Sequence, residues 1–147
     1  MLNMIQTSFA STREALFEQV LDTTPNEVAE AVLRQTVVGE SSLEQVLTRL
    51  ASLLGISKSE ALAVLGISRS RKSKNPDMSV ELLDRTYSAL TLFARVASVL
   101  GQDGARVWFG NPKAALDGTR PIDLLATRVG VSKLQNMLTA LEDGTFL

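Results

Sequence analysis

The sequence predicts an all-α fold, and three observations support this prediction. Apolar residues recur at helical spacing, most clearly in the run Leu43, Val46, Leu47, Leu50 and Leu54. Four predicted helix starts carry a hydroxyl residue followed three positions later by Glu, a pattern that is typical of helix starts. Runs that alternate apolar and polar residues, as strands do, are missing from the sequence.

The predicted helix starts share a capping-box pattern, in which the hydroxyl accepts a hydrogen bond from an amide of the first turn. The pairs are Ser11/Glu14, Thr24/Glu27, Ser41/Glu44 and Ser57/Glu60. Pro25 supports the second start. Proline has no backbone N–H, and at the first helical position this N–H would have no hydrogen-bond partner within the helix. The predicted helix ends lie at four glycines: Gly39, Gly55, Gly66 and Gly101.

The longest predicted helix follows the break at Asn75-Pro76-Asp77, with Ser79 as its N-cap and Gly101 as its end. Its broad apolar stripe would join the middle of the chain to the C-terminal part, and Arg85 and Arg95 are expected to lie outside this stripe. Because no flexible linker separates the two, we expect them to pack together. The predicted parts are an N-terminal helical extension (1–42), a helix-turn-helix domain with the long helix (43–101) and a C-terminal block (102–147).

Composition limits the chemistry available to this chain of 147 residues. It contains no Cys and no His, so it can build neither a disulfide, nor a Cys/His zinc site, nor a Ser-His-Asp triad. We therefore expect a protein that is not an enzyme and holds no metal. The sequence has no apolar stretch of about 18 residues and no basic segment leading into an apolar one at its start, and we expect a cytoplasmic protein.

Charge is distributed unevenly along the chain, although the net charge is only −1. Residues 1–48 contain two basic and seven acidic side chains, residues 49–95 contain eight basic and four acidic, and residues 96–147 contain five of each. The middle section is therefore basic, and an anionic partner is expected to bind there.

A helix-turn-helix is predicted between Leu50 and Ser79, where two Gly-Ile-Ser turns separate short helices. Ser57 and Ser68, the last residues of these turns, would cap the helices that follow. In DNA-binding versions of this motif, the helix after the second turn lies in the major groove. Here that helix is Arg69–Lys74, with four positive charges in six residues. Such a run can bind phosphates, and its arginines could read guanine edges. The candidate DNA-binding residues are Arg69, Ser70, Arg71, Lys72 and Lys74.

The C-terminal block contains several turns close together. Trp108 and Phe109 precede a predicted turn at Asn111-Pro112, and Asp117-Gly118 supplies a left-handed residue for a second turn. Thr119 or Pro121 is predicted to start the next helix. The final helix presents an apolar face made of Val131, Leu134, Leu138 and Leu141.

This block resembles the C-terminal domain of the Xre/MbcA/ParS-type antitoxins of bacterial toxin–antitoxin pairs. The residues that carry the resemblance are Trp108, Asn111-Pro112, Leu116, Gly118, the run Pro121-Ile122-Asp123-Leu124-Leu125, Gly130 and the closing Glu142-Asp143-Gly144-Thr145-Phe146. The helix-turn-helix half is also similar to the Xre-like part of that family, so the resemblance covers roughly residues 43–147.

The resemblance implies a partner, a mechanism and a second activity. Antitoxins of this family neutralise RES or related ADP-ribosyltransferase-like toxins, which consume NAD, by occluding the toxin's active site, and they commonly repress their own operon. The cofactor then belongs to the toxin, and none is expected here. A homodimer is implied, because two operator half-sites about 34 Å apart need two recognition elements. The implied toxin-binding residues are Asn111, Arg120, Gly144, Thr145, Phe146 and Leu147.

Several alternatives remain open at the level of sequence. The basic run has no apolar residue between Ile67 and Met78 to anchor a helix, so it could instead be a solvated loop or a toxin contact. Trp108 could belong to the core or to an interface. The whole chain could be a helix-turn-helix transcriptional regulator without a toxin, or an adaptor protein whose basic run has no role in DNA binding.

Overall fold

A computed structural model describes residues 2–144, with side chains from residue 8 onward. Within this range the chain forms seven α-helices, two short 3-10 turns and no β-strand, so the predicted all-α fold is confirmed. The helices are α1 (Leu2–Leu21), α2 (Pro25–Leu33), α3 (Leu43–Leu54), α4 (Lys58–Val64), α5 (Arg69–Lys74), α6 (Val80–Gly110) and α7 (Arg128–Glu142). The 3-10 turns are Ala114–Leu116 and Pro121–Leu124.

Most of the predicted helix starts are confirmed. Thr24, Ser57, Ser68 and Ser79 each precede a helix, and the hydroxyl of each accepts a hydrogen bond from an amide of the first turn. Pro25 occupies the first turn of α2, as predicted. These starts depend on contacts between residues three apart, and local sequence is therefore enough to indicate them.

Two of the four predicted capping-box starts are wrong. Ser11 lies inside α1, which runs from Leu2 to Leu21, so no helix begins at this residue. The start of α3 is displaced by one residue, because Ser42 rather than Ser41 is the N-cap and forms a capping box with Gln45. The Oγ atom of Ser41 instead accepts a hydrogen bond from the guanidinium of Arg49 at 2.8 Å, which occupies that hydroxyl.

Two of the predicted helix ends are confirmed, at Gly55 and Gly66, which follow α3 and α4 with left-handed backbone angles. The end predicted at Gly39 is wrong, because α2 already ends at Leu33. Gln35 takes the left-handed conformation after that helix, and Gly39 lies in the loop that follows.

The long helix α6 bends sharply at Gly101, which has φ 78° and ψ 170°. This backbone region is accessible essentially only to glycine. The sequence predicted that the helix ends here, but the chain resumes a helical path to Gly110. The bend divides α6 into a first arm, 80–100, and a second arm, 102–110.

The second arm folds back toward the first. The rings of Phe93 and Phe109 stack with their centroids 5.6 Å apart, although residues 16 positions apart in a straight helix would be about 24 Å apart. Arg106 fixes the arm further by donating from Nε to the carbonyl oxygen of Leu53, at 2.7 Å.

The first arm of α6 is the centre of the core. It packs against α1 and α2, and the ring of Tyr87 meets that of Phe17 edge to face at a centroid distance of 5.4 Å. One cluster of buried apolar residues joins the N-terminal helices, α3, α4, α6 and the C-terminal block. The division into parts at residues 42 and 101 stays a prediction, and residues of all three parts share this cluster.

The second 3-10 turn of the C-terminal block packs closely against the start of α7. The segment predicted to start a helix at Thr119 or Pro121 forms only the 3-10 turn Pro121–Leu124, and α7 begins later with Thr127 as its N-cap. Gly130, in the first turn of α7, lies against the backbone of Leu124, where an added Cβ would come within 2.1 Å of the carbonyl oxygen. Only glycine allows the turn and the helix to approach this closely.

Gly130→Ala is therefore expected to destabilise the fold by about 2 kcal/mol, because the methyl group would force two backbone segments apart. Urea unfolding followed by circular dichroism measures this change. Gly110→Ala is the matched control, since a Cβ there meets nothing within 4 Å. Equal stability of the two variants would contradict the close-packing explanation.

Candidate functional site

The first candidate surface is built by three short helices and two similar turns. Gly55-Ile56-Ser57 joins α3 to α4, and Gly66-Ile67-Ser68 joins α4 to α5. Ile67 is buried, whereas Ile56 is only half-buried. The Ser68 hydroxyl accepts from the amide of Arg71 at 3.2 Å, and this hydrogen bond begins α5.

Helix α5 contains every residue that the sequence predicted to bind DNA, namely Arg69, Ser70, Arg71, Lys72 and Lys74. None of the six residues of this helix is buried, so the expected lack of an apolar anchor is confirmed. The segment is nevertheless helical rather than a loop. Its side chains make polar contacts to three other helices, α3, α4 and α6.

Two carboxylates and one hydroxyl hold α5 against the fold. Lys72 Nζ lies 2.6 Å from Oε2 of Glu44 in α3, and Arg71 pairs with Glu81 of α6 at 3.6 Å. Arg69 donates to the Ser59 hydroxyl of α4 at 2.9 Å. Within residues 8–144, no carboxylate pairs with Arg69 or Lys74.

Glu44 is shared between two lysines. Its Oε1 accepts from Lys58 Nζ at 2.6 Å, while its Oε2 faces Lys72. The hydrogen bond from Lys58, together with that from Lys72, lowers the pKa of Glu44 from 4.5 to about 2. The sequence placed Glu44 in the first turn of α3 but contained no signal of these distant partners.

Arg85 connects the α4–α5 turn to the C-terminal block. Its Nη1 donates to the carbonyl oxygen of Ala126 at 2.5 Å, just before α7, and its Nη2 lies 3.5 Å from Glu81. Glu81 also pairs with Arg71, so a chain of polar contacts runs from α5 to the start of α7. The sequence predicted only that Arg85 lies outside the apolar stripe.

The second candidate surface belongs to the C-terminal block. α6 ends at Asn111, as predicted, and this residue is extended and exposed. A backbone bridge between Lys113 and Thr119 closes the next turn, in which Asp117 and Gly118 are both left-handed. These local predictions are confirmed.

Trp108 lies at the boundary between the core and the surface. It is half-buried and meets the Phe109 ring edge to face at 5.1 Å, and Lys113 Nζ lies 5.1 Å from its ring centroid. Phe109 itself is fully buried. The sequence left the two roles of Trp108 open, and the structure assigns it to the boundary between them.

Arg120 is held in place by a neighbour. Its guanidinium donates to both carboxylate oxygens of Asp123, at 3.0 and 2.9 Å, and this hydrogen bonding raises the pKa of Arg120 above its ordinary value. Both residues line a small pocket of about 130 Å³ against α4, together with Glu60.

Gly144 lies at the opposite end of α7 from Arg120. Glu142, two residues earlier, pairs with Arg95 of α6 at 3.0 Å. Because the 15 residues of α7 span about 22 Å, the structure does not bring Arg120 and Gly144 together. Thr145, Phe146 and Leu147 lie outside the described residues.

Two features are absent from the part of the chain that the structure describes. There, no group of three or more acidic, His or Cys side chains is arranged to hold a metal ion. None of the helices in that part combines the length and apolar content needed to cross a bilayer.

Part of the chain is similar to known proteins. Residues 95–144 match the family model described as the antitoxin Xre/MbcA/ParS C-terminal toxin-binding domain, which covers about a third of the chain. The chain is also 27% identical over 77 residues to a protein named antitoxin Xre from Pseudomonas putida strain KT2440. That alignment covers 52% of this chain and 48% of the relative, so the chain matches about half of its length.

The matched segment contains the structural features described for the C-terminal block. It begins at Arg95, and it includes the bend of α6, the turns around Asn111 and Gly118, and α7. Residues 95–144 are therefore similar to the toxin-binding part of an antitoxin, and both comparisons support an antitoxin.

Proposed function

We propose that this chain is an antitoxin that binds and neutralises a cognate toxin. The observation that carries this proposal is the match of residues 95–144 to a toxin-binding domain. A binding role also suits the composition, because a chain without His and Cys lacks the commonest general base and the side chain that is intrinsically most nucleophilic near neutral pH. The proposed activity is inhibition, not catalysis.

The proposed partner is an NAD-consuming toxin of the RES or related ADP-ribosyltransferase-like type. The C-terminal segment would occlude the toxin's active site, with Thr145, Phe146 and Leu147 following directly on Gly144. Asn111 and Arg120 would contact the toxin elsewhere. Because Asp123 already holds the Arg120 guanidinium in one orientation, little side-chain entropy would be lost when Arg120 binds.

The proposed second activity is repression of the operon that encodes the chain. Helix α5 would bind operator DNA through phosphate contacts, and a homodimer would present two such helices to two half-sites. Glu44 and Glu81 already neutralise part of the charge of Lys72 and Arg71. Arg69 and Lys74 are therefore expected to make the strongest phosphate contacts.

The toxin partner is tested by co-expressing the tagged full chain with the toxin encoded beside its gene. We expect the two to co-purify and the toxin's NAD hydrolysis to be inhibited. A variant lacking residues 145–147 is expected to inhibit more weakly and to keep the same melting temperature. Full inhibition by the truncated chain would contradict active-site occlusion, and absence of any complex would contradict the antitoxin itself.

DNA binding is tested with the double variant Arg69→Ala/Lys74→Ala. If each cation neutralises one phosphate, the slope of log K against log salt concentration should fall by about 1.8. Fluorescence anisotropy with the DNA upstream of the gene, at several salt concentrations, measures this slope. Arg34→Ala/Lys133→Ala removes the same charge from exposed positions on α7 and after α2, and it should leave the slope unchanged. Equal slopes in the two double variants would contradict binding by α5.

The ion pairs of Glu44 predict a specific pH dependence. Since folding lowers its pKa from 4.5 to about 2, its contribution to stability is present above pH 4.5 and is lost as the pH falls toward 2. Carboxyl NMR titration should give a midpoint near 2 for this side chain. Lys72→Met should raise the midpoint, and Lys58→Met/Lys72→Met should bring it near 4.5. A midpoint unchanged by both variants would show that the lysines do not cause the shift.

A further inference from the structure

An apolar groove with a volume of about 620 Å³ lies beside the bend of α6. Its buried lining comes from Val96 of the first arm and Leu138 of α7. Around them stand three large apolar side chains that remain exposed, Val99 by 66%, Leu100 by 51% and Leu141 by 40%. Exposed apolar side chains that adjoin one another in this way mark interaction sites.

The polar side chains of the groove are already engaged within the fold. Arg95 pairs with Glu142 at 3.0 Å and donates to the Thr139 hydroxyl at 3.3 Å. The Ser98 hydroxyl donates to the carbonyl oxygen of Arg95 at 2.9 Å. Small polar ligands need a few free polar groups that fix their orientation, and these side chains are committed elsewhere. The groove therefore suits apolar side chains of another protein.

The position of the groove indicates which protein that is. Apart from Phe9, all of its lining residues lie within residues 95–144, the segment similar to a toxin-binding domain. Trp108 contributes to one side, and aromatic side chains of this kind are enriched among residues that dominate binding energy. Glu142, which lines the groove, lies only two residues before Gly144 in the sequence, where the segment proposed to enter the toxin begins.

We propose that this groove is a docking site for an apolar cluster on the surface of the toxin, separate from the toxin's active site. This inference rests on the proposed function. The groove and the C-terminal segment would then bind neighbouring parts of the toxin. Arg120, near the other end of α7, contributes nothing to this contact.

The test compares two valine variants of the full chain. Val99→Asp places a charge in the groove, whereas Val129→Asp adds the same charge at a valine that is 80% exposed outside it. Both positions are exposed and lie within residues 95–144, so both variants are expected to fold, and melting temperature checks this. Isothermal titration with the purified toxin encoded beside the gene should show binding weakened on the order of 30-fold by Val99→Asp, as for a central interface residue. Val129→Asp should bind as the original chain does.

Each outcome decides between the proposals. If Val99→Asp does not fold, Leu141→Asp replaces it and should weaken binding in the same direction. If the original chain binds the toxin and both valine variants bind equally well, or lose affinity equally, the groove is not the docking site and the antitoxin function is unaffected. If the original chain does not bind the toxin, the proposed function itself fails. A dimer by light scattering that Val99→Asp converts to monomer, with toxin affinity unchanged, would assign the groove to a second copy and overturn the proposal.

Discussion

The bend of α6 at Gly101 is the constraint on which the C-terminal half of the molecule depends. Because the chain reverses there, Phe109 reaches Phe93, and the residues that follow return to the core instead of extending into solvent. The same reversal leaves Val99 and Leu100, the last residues before the bend, without neighbours to cover them. The backbone conformation of Gly101 thus returns the chain to the core and also leaves the apolar groove exposed beside the bend.

Helix α5 is held by a different kind of interaction. It buries no side chain, and its position depends on a serine cap and on ion pairs with Glu44 and Glu81. Exposed ion pairs each contribute little free energy, so these pairs hold α5 only weakly. Lys72 and Arg71 position α5 through these ion pairs, whereas Arg69 and Lys74 are proposed to make its strongest phosphate contacts. Arg85 links the same network to Ala126, two residues before α7.

Local rules predicted much of the helical framework. The caps at Thr24, Ser57 and Ser68 follow from hydrogen bonds between residues three apart, and both the side chain and its target are visible in the sequence. The same rule failed at Ser11, because it does not reveal whether a helix has already begun upstream. It also failed to distinguish Ser41 from Ser42, since Arg49, a residue of the following helix, occupies one of the two hydroxyls.

The sequence by itself determined the all-α class, the turns of the C-terminal block and the concentration of positive charge on one short helix, because each depends on residues that are neighbours in the chain. Only the tertiary structure decided what surrounds those features. The sharing of Glu44 between two lysines, the separation of Arg120 from Gly144, and the groove beside Val99 all join residues that are far apart in sequence. Their proximity results from packing around α6, and a local sequence pattern cannot indicate packing between distant residues.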